Sequence, residues 1–289
     1  MKKKILSIFL AFCLIFSLLP MGASADEARS GTCGDDLTWV LENSVLTISG
    51  TGKMADYNFE TIHGRSQPWG MYIYQIKSVV IENGVTSIGN HAFKDCSNLT
   101  KVTVPGSVES IGTGAFYDCT ALTDVSIANG VKSIGDHAFK GCNKLVSITL
   151  PDSVEQLGIY AFRYCTKLKT AVLSKGMTQI GERTFSYCYD LERVTIPKGV
   201  TKIGDNVFDY CTDLADIVYG GTKEAWEAMG CTFPKTQTVK IHYNCDSFDG
   251  HYVRIGGKEP TCTSTGYIDY LCPCGYEYTE YIPGGHDYA

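Results

Sequence analysis

No part of the sequence carries the G-x-S-x-G turn that presents a nucleophilic serine, the H-E-x-x-H pair that holds a catalytic zinc, or a glycine loop that cradles phosphate. The six histidines, His63, His91, His137, His242, His251 and His286, form no motif; His91 and His137 share one slot of a repeat and read as coil-surface residues. An enzyme is therefore not expected. Basic charge is also short, with 25 Lys and Arg against 31 Asp and Glu. A chain with that balance has no electrostatic reason to hold nucleic acid or an anionic lipid surface. Long apolar runs are scarce too. The one from Ile5 to Leu19 is too short and wrongly flanked for a membrane anchor. It follows three lysines and precedes Ala23, Ser24 and Ala25, the pattern of a secretory signal cleaved after Ala25. Losing residues 1–25 removes three lysines and no acids, which leaves 22 basic against 31 acidic residues, a net charge of −9, and no membrane span. Cys13 follows the bulky Phe12, where lipid attachment takes a small residue.

What the chain does have is repetition. GVTSIGNHAFKDCSNL from Gly84 returns as GVKSIGDHAFKGCNKL from Gly130 and GVTKIGDNVFDYCTDL from Gly199. Aligned on Ile88, Ile111, Ile134, Leu157, Ile180 and Ile203, each followed by Gly, the interval is 23 residues every time. The same step links Phe93, Phe116, Phe139, Phe162, Phe185 and Phe208. It also links Cys96, Cys119, Cys142, Cys165, Cys188 and Cys211, and then Leu99 through Leu214.

Within a unit, the alternation Val102, Thr103, Val104 predicts a short strand with one buried face. Pro105, Pro151 and Pro197 stop strands and open turns. The Gly after each Ile marks tight turning or close approach of a neighbouring backbone. One coil buries too few apolar side chains to repay the entropy of ordering it, so the coils must stack, each residue packing on its own copy.

A leucine-rich repeat has this form. The pattern L-x-x-V-x-V-P-x-x-V-x-x-I-G-x-x-A-F-x-x-C-x-x-L over residues 76–219 resembles more specifically the BspA-like family of bacterial surface proteins. It lacks the Asn after the strand of the common pattern, so a standard horseshoe curvature is not assumed. The resemblance implies a solenoid of short parallel strands and attachment to host or neighbouring-cell proteins, extracellular-matrix components included. GTCGDDLTWVLE through QPWGMY is similar to the leader region of such proteins.

The expected organisation is a signal peptide over 1–25, an N-terminal cap over 26–75, repeats over 76–219, a C-terminal cap over 220–243 and a small Cys-containing module over 244–289. The N-terminal cap reads as a β-hairpin from Leu37 to Met54 turning near Asn43 and Ser44. The C-terminal cap reads as a helix from Thr222, its N-cap, to Met229, followed by the strand TVKIHY. The module is β-rich and similar to one appended to exported clostridial-type proteins, in which Cys-x-Cys-Gly sits between short strands.

Two cysteine sets are candidates for chemistry. Stacked coils lie about 4.8 Å apart, within reach of a disulfide, but equivalent side chains point in parallel, so the six repeat cysteines are expected as buried free thiols. In the module, Cys262, Cys272, Cys274 and His286 supply the residue types of a tetrahedral zinc site. A disulfide involving Cys245 or Cys262, or unpaired thiols, fits the spacing as well. No other cofactor is expected.

The remaining candidate is surface. Outward strand positions form one row of Lys101, Asp124, Ser147, Thr170, Arg193 and Asp216 beside another of Thr103, Ser126, Thr149, Val172, Thr195 and Val218. Seven strands give a face on the order of 30 Å long, enough for a protein or glycan ligand. Tyr164, Tyr187 and Tyr210 form a further row, either a packing ladder or an aromatic contact. The reading is an exported, non-catalytic binding or adhesion protein. Its alternative is a structural component of the cell envelope, with the module docking to wall material.

Overall fold

The computed structural model describes residues 28–58, 66–233 and 237–244, together with the backbone of the strands Val253–Lys258, Gly266–Leu271 and Glu277–Ile282. The chain opens on an antiparallel sheet of Arg29–Thr32, Leu37–Glu42 and Val45–Gly50. Asn43 and Ser44 both have positive φ (50° and 65°), the conformation a two-residue hairpin turn requires. Val45–Gly50 then pairs in parallel with Ser78–Ile81, so the hairpin seeds the first coil.

From there the repeats wind as a parallel solenoid whose coils have three hydrogen-bonded sides. On the long-strand side, Ser78 lies beside Lys101 and Lys101 beside Asp124, and further on Thr170 beside Arg193 and Arg193 beside Asp216, each one repeat apart. The short-strand side carries the Ile-Gly positions, with Ile88 beside Ile111 and Ile111 beside Ile134. The long-strand ladder divides into two sheets between Asp124–Ile127 and Ser147–Thr149; the short-strand ladder divides one coil later, between Gln156–Leu157 and Gln179–Ile180. Across both divisions the third side stays bonded. There Phe116 N donates to Ala138 O at 2.7 Å, Phe139 N to Ala161 O at 2.8 Å and Phe162 N to Thr184 O at 3.0 Å.

That third side bends by left-handed backbone. His91, His137, Tyr160, Arg183 and Asn206 hold φ between 50° and 60° in one slot, and Asp95, Asp118, Tyr164, Tyr187 and Tyr210 between 54° and 64° in another. L-residues adopt this conformation at a cost, and the coil-to-coil bonds on either side of them maintain it.

The glycine after each Ile is needed for space. A Cβ on Gly112 would lie 2.6 Å from Asn90 N, and one on Gly158 2.3 Å from Asp136 N, both on the preceding coil's backbone.

The core is a set of like-on-like columns. Phe116 and Phe139 are fully buried and stack with centroids 5.1 Å apart. The column runs from Trp69 on Phe93 (5.5 Å) to Phe208 on Phe233 (6.1 Å). Trp69 thus extends the phenylalanine stack into the N-terminal cap, where its Nε1–H donates to Ala92 O at 2.9 Å. At the other end the expected helix is found at Lys223–Ala228, with Thr222 Oγ1 accepting from Ala225 N at 3.3 Å. The expected strand is found at Lys240–Tyr243, paired in parallel with Asp216–Tyr219. Gln237 Nε2 donates to Cys211 O and Leu214 O, satisfying carbonyls of the last coil.

The six repeat cysteines are buried thiols. Their side chains do more than fill space: the Sγ of Cys119, Cys142, Cys165, Cys188 and Cys211 donates to the Phe carbonyl of the preceding coil at 3.1–3.3 Å. The signal segment and the proposed zinc residues Cys262, Cys272, Cys274 and His286 lie outside the described residues. Among the described residues no helix is long and apolar enough to cross a membrane.

Candidate binding surface

On the long-strand face, Lys101, Thr103, Asp124, Ser126, Ser147 and Thr149 are exposed, and Arg193 and Asp216 half-buried. Thr195 departs from the expectation of an outward, accessible row: it is 6% exposed. Its register neighbour Val218 is buried as well, whereas Val172 on the other side is 38% exposed, so the enclosure belongs to the C-terminal end of the row. The charges of the face are matched from coil to coil. Lys101 Nζ reaches Asp124 at 3.0 Å and Arg193 reaches Asp216 at 3.9 Å. Asp216 also meets the buried His242 Nε2 at 2.9 Å. Charges occupied with one another have less to offer a ligand, and an exposed pair such as Lys101–Asp124 is worth at most about 1 kcal/mol.

The third side presents a different surface. Left-handed backbone at Tyr164, Tyr187 and Tyr210 places one phenol per coil in a single slot, and the rings stack at 4.6 and 4.4 Å. Tyr210 is 54% exposed, and Tyr189, edge-on to Tyr187 at 6.2 Å, is 39% exposed. The Arg163 guanidinium lies 4.7 Å from the Tyr164 ring centroid, 5.2 Å from Tyr187 and 5.3 Å from Tyr160, and its Nη2 donates to Tyr164 Oη at 3.3 Å. Tyr160 stacks on His137 at 4.8 Å and accepts from Arg183 Nη1 at 3.1 Å. One coil before Arg163, in the same slot, Lys140 Nζ lies 4.9 Å from the Tyr117 ring.

Titration follows this packing. Burial, with Lys94 and Lys140 respectively adding to it, holds the His91 and His137 imidazoles below their ordinary value, so both are neutral at pH 7. Both are half-buried at the coil surface, as members of this edge. The Asp118 carboxyl is raised, first by burial and then by Asp95 in the same slot one coil earlier.

The tyrosine row was visible from its spacing. Arg163, Tyr160 and His137 were missed because their slots change residue type from coil to coil: Lys94, Tyr117, Lys140, Arg163 in one, and His91, Gly114, His137, Tyr160, Arg183 in the other. The available signal was adjacency, since these slots lie one and four residues before the tyrosines. Among the described residues no cluster of His, Cys, Asp and Glu could hold a metal ion.

Residues 71–128 and 109–229 match the family described as BspA type leucine-rich repeat region, in six copies. Among solved structures, a leucine-rich repeat protein from Bacteroides ovatus is 25% identical with a TM-score of 0.50, over 64% of this chain and 54% of that one. The chain thus spans about half the length of that protein. The T. pallidum leucine-rich repeat protein is 24% identical with a TM-score of 0.49, over 66% of this chain and 90% of that one. A leucine-rich repeat protein from Eubacterium ventriosum is 25% identical with a TM-score of 0.43, over 70% and 73% respectively. No curated protein matches the chain. With more than half of its length matched and its coils stacked Phe on Phe and Cys on Cys, the chain belongs to the BspA-type leucine-rich repeat family.

Proposed function

We propose that the chain is an exported, non-catalytic adhesion protein that docks proteins of a host or neighbouring cell, with the tyrosine edge as its contact surface. The observation that carries this reading is the column Tyr164–Tyr187–Tyr210 with Arg163 against it. Tyr and Arg are residues that concentrate binding energy at protein interfaces, because each buries a large area and keeps a polar group for pairing. The long-strand face supports the reading less well, since its charges are already matched and Thr195 is enclosed.

The test is capture of the purified chain by immobilised extracellular-matrix protein, by host cells and by purified cell wall. The expected result is binding to protein or cells that falls at least about tenfold in Tyr187→Ala/Tyr210→Ala and is unchanged in Lys101→Ala/Thr103→Ala. The reverse pattern moves the site to the strand face. Binding to wall alone, insensitive to both pairs of substitutions, favours the envelope-component reading instead.

A further inference from the structure

Elsewhere on the solenoid, several cations meet a carboxylate in the same slot one coil away. Lys101 pairs with Asp124, Lys132 with Glu155, Lys167 with Asp190 and Lys169 with Glu192. In the slot holding Lys140 and Arg163 a cation follows a cation on consecutive coils, as in the slots of Lys144 and Lys167 and of Lys175 and Lys198, but there Lys167 pairs with Asp190 and Lys175 with Asp152. Neither Lys140 nor Arg163 has a carboxylate within ion-pair distance among the described residues; Asp118 acts on Lys140 only at longer range. Aromatic faces hold them instead, Tyr117 for Lys140 and Tyr160, Tyr164 and Tyr187 for Arg163. Of the five N–H donors of a guanidinium, Arg163 has one hydrogen bond, to Tyr164 Oη, and its Nε is buried without a partner. Two cations one coil apart repel, and at contact distance it is π faces that compensate for that.

We infer that Lys140 and Arg163, together with the tyrosine edge beside them, receive an acidic segment of a protein partner. This rests on the docking reading above and names the chemistry of what docks. Carboxylates supply the counter-charge missing from this slot, and Arg163 has the planar fork that a carboxylate fits. A peptide is favoured over an anionic glycan by the state of the rings. Both faces of Tyr187 are taken, by Tyr164 at 4.6 Å and Tyr210 at 4.4 Å, and the ring with an outer face left, Tyr210, lies two coils from Arg163, so a sugar ring has no open face beside the cations to lie on. What Tyr187 presents outward is ring edge and hydroxyl, which suit the polar backbone and side chains of an extended segment.

The experiment uses the full chain and a fluorescent peptide of alternating Glu and Gly, read by anisotropy at low and moderate salt, with heparin fragments and a Lys-Gly peptide as competitors. The expected result is saturable, salt-sensitive binding that weakens at least about tenfold in Arg163→Gln and again in Lys140→Gln. Arg163→Lys, which keeps charge and stacking but loses the fork, weakens it less, and Lys101→Gln leaves it unchanged. Thermal melting of each variant identifies any that has lost the fold, and Lys140→Gln then decides alone. No binding of the Glu-Gly peptide, equal binding by Lys140→Gln, or displacement by heparin fragments that themselves bind more tightly overturns the inference. If matrix-protein capture fails while the acidic peptide still binds at Arg163, only the proposed adhesion role falls. If capture persists through the tyrosines without acidic-peptide binding, only this inference does.

Discussion

The Cys142 thiol donates to the carbonyl of Phe116 at 3.3 Å, joining one coil's cysteine to the preceding coil's phenylalanine. The same carbonyl accepts Cys119 N at 3.3 Å, so the thiol completes a two-donor site rather than rescuing an orphan. A residue in this slot must be small, largely apolar and able to donate weakly, and cysteine is all three.

This arrangement predicts an alkaline sensitivity. Burial lifts the Cys165 and Cys211 thiols from the ordinary 9.0 to about 12, and raises Cys119, Cys142 and Cys188 well above it. Between those values the unfolded chain has released protons that the folded chain retains. The contribution is therefore complete below about pH 9 and lost as pH rises toward 12. Urea midpoints measured at pH 7.5 and 10.5 should fall across this interval, and fall less in Cys165→Ala. An equal fall in both proteins would remove the thiols as the cause.

Gly158 and Gly181 occupy one repeat slot yet should differ under substitution. A Cβ on Gly158 meets Asp136 N at 2.3 Å, a backbone atom that cannot move without disturbing the coil below, whereas on Gly181 the nearest atom is Ile159 N at 3.2 Å. Gly158→Ala should cost about 3 kcal/mol and Gly181→Ala under about 1 kcal/mol, read as differences in urea midpoint. Similar losses at both would mean that something other than space fixes this glycine.

The pattern of these packing columns was legible because stacking forces each slot to repeat: a chain that restates Phe and Cys every 23 residues has declared which side chains touch. Left-handed backbone was not legible. Its usual signature is glycine, and of the twelve positions in the two left-handed slots only Gly114 and Gly141 show it. Trp69 was hidden for a different reason, since it lies 24 rather than 23 residues before Phe93 and enters the stack from a cap with its own geometry. The candidate edge combines both difficulties. Its tyrosines repeat, but Arg163 and Lys140 gain their meaning from the carboxylates that are not beside them, which only the three-dimensional register shows.

The coil-to-coil ion pairs should contribute little to stability. Lys101 and Asp124 are each more than half exposed, as are Lys169 and Glu192, and exposed pairs are worth about 0–1 kcal/mol. Lys101→Ala and Asp124→Ala should each shift the urea midpoint by an amount corresponding to less than about 1 kcal/mol. Raising salt should erase most of that difference. A larger, salt-independent loss would show that the pair sits in a drier environment than its exposure indicates.

Trp69 makes the N-terminal cap a working end to the stack, and two substitutions separate its two contributions. Its ring covers Phe93, stacked at 5.5 Å and 14°, and meets Trp39 and Tyr57 edge-on at 6.0 and 5.7 Å. Its Nε1–H satisfies Ala92 O, a carbonyl that in later coils is bonded by the preceding coil's Phe N. Trp69→Phe retains most of the apolar contact and leaves that carbonyl without its partner, a loss of about 1–3 kcal/mol. Trp69→Ala removes the contact as well and should cost about 3–5 kcal/mol. Because each coil is held chiefly by its neighbours, the damage should be greatest nearest the cap. Amide exchange should accelerate most at Ala92 and Phe93, less at Phe116, and least at Phe185. Uniform acceleration along the solenoid would mean that the coils melt as one unit, and that the cap stabilises the whole rather than its first rung.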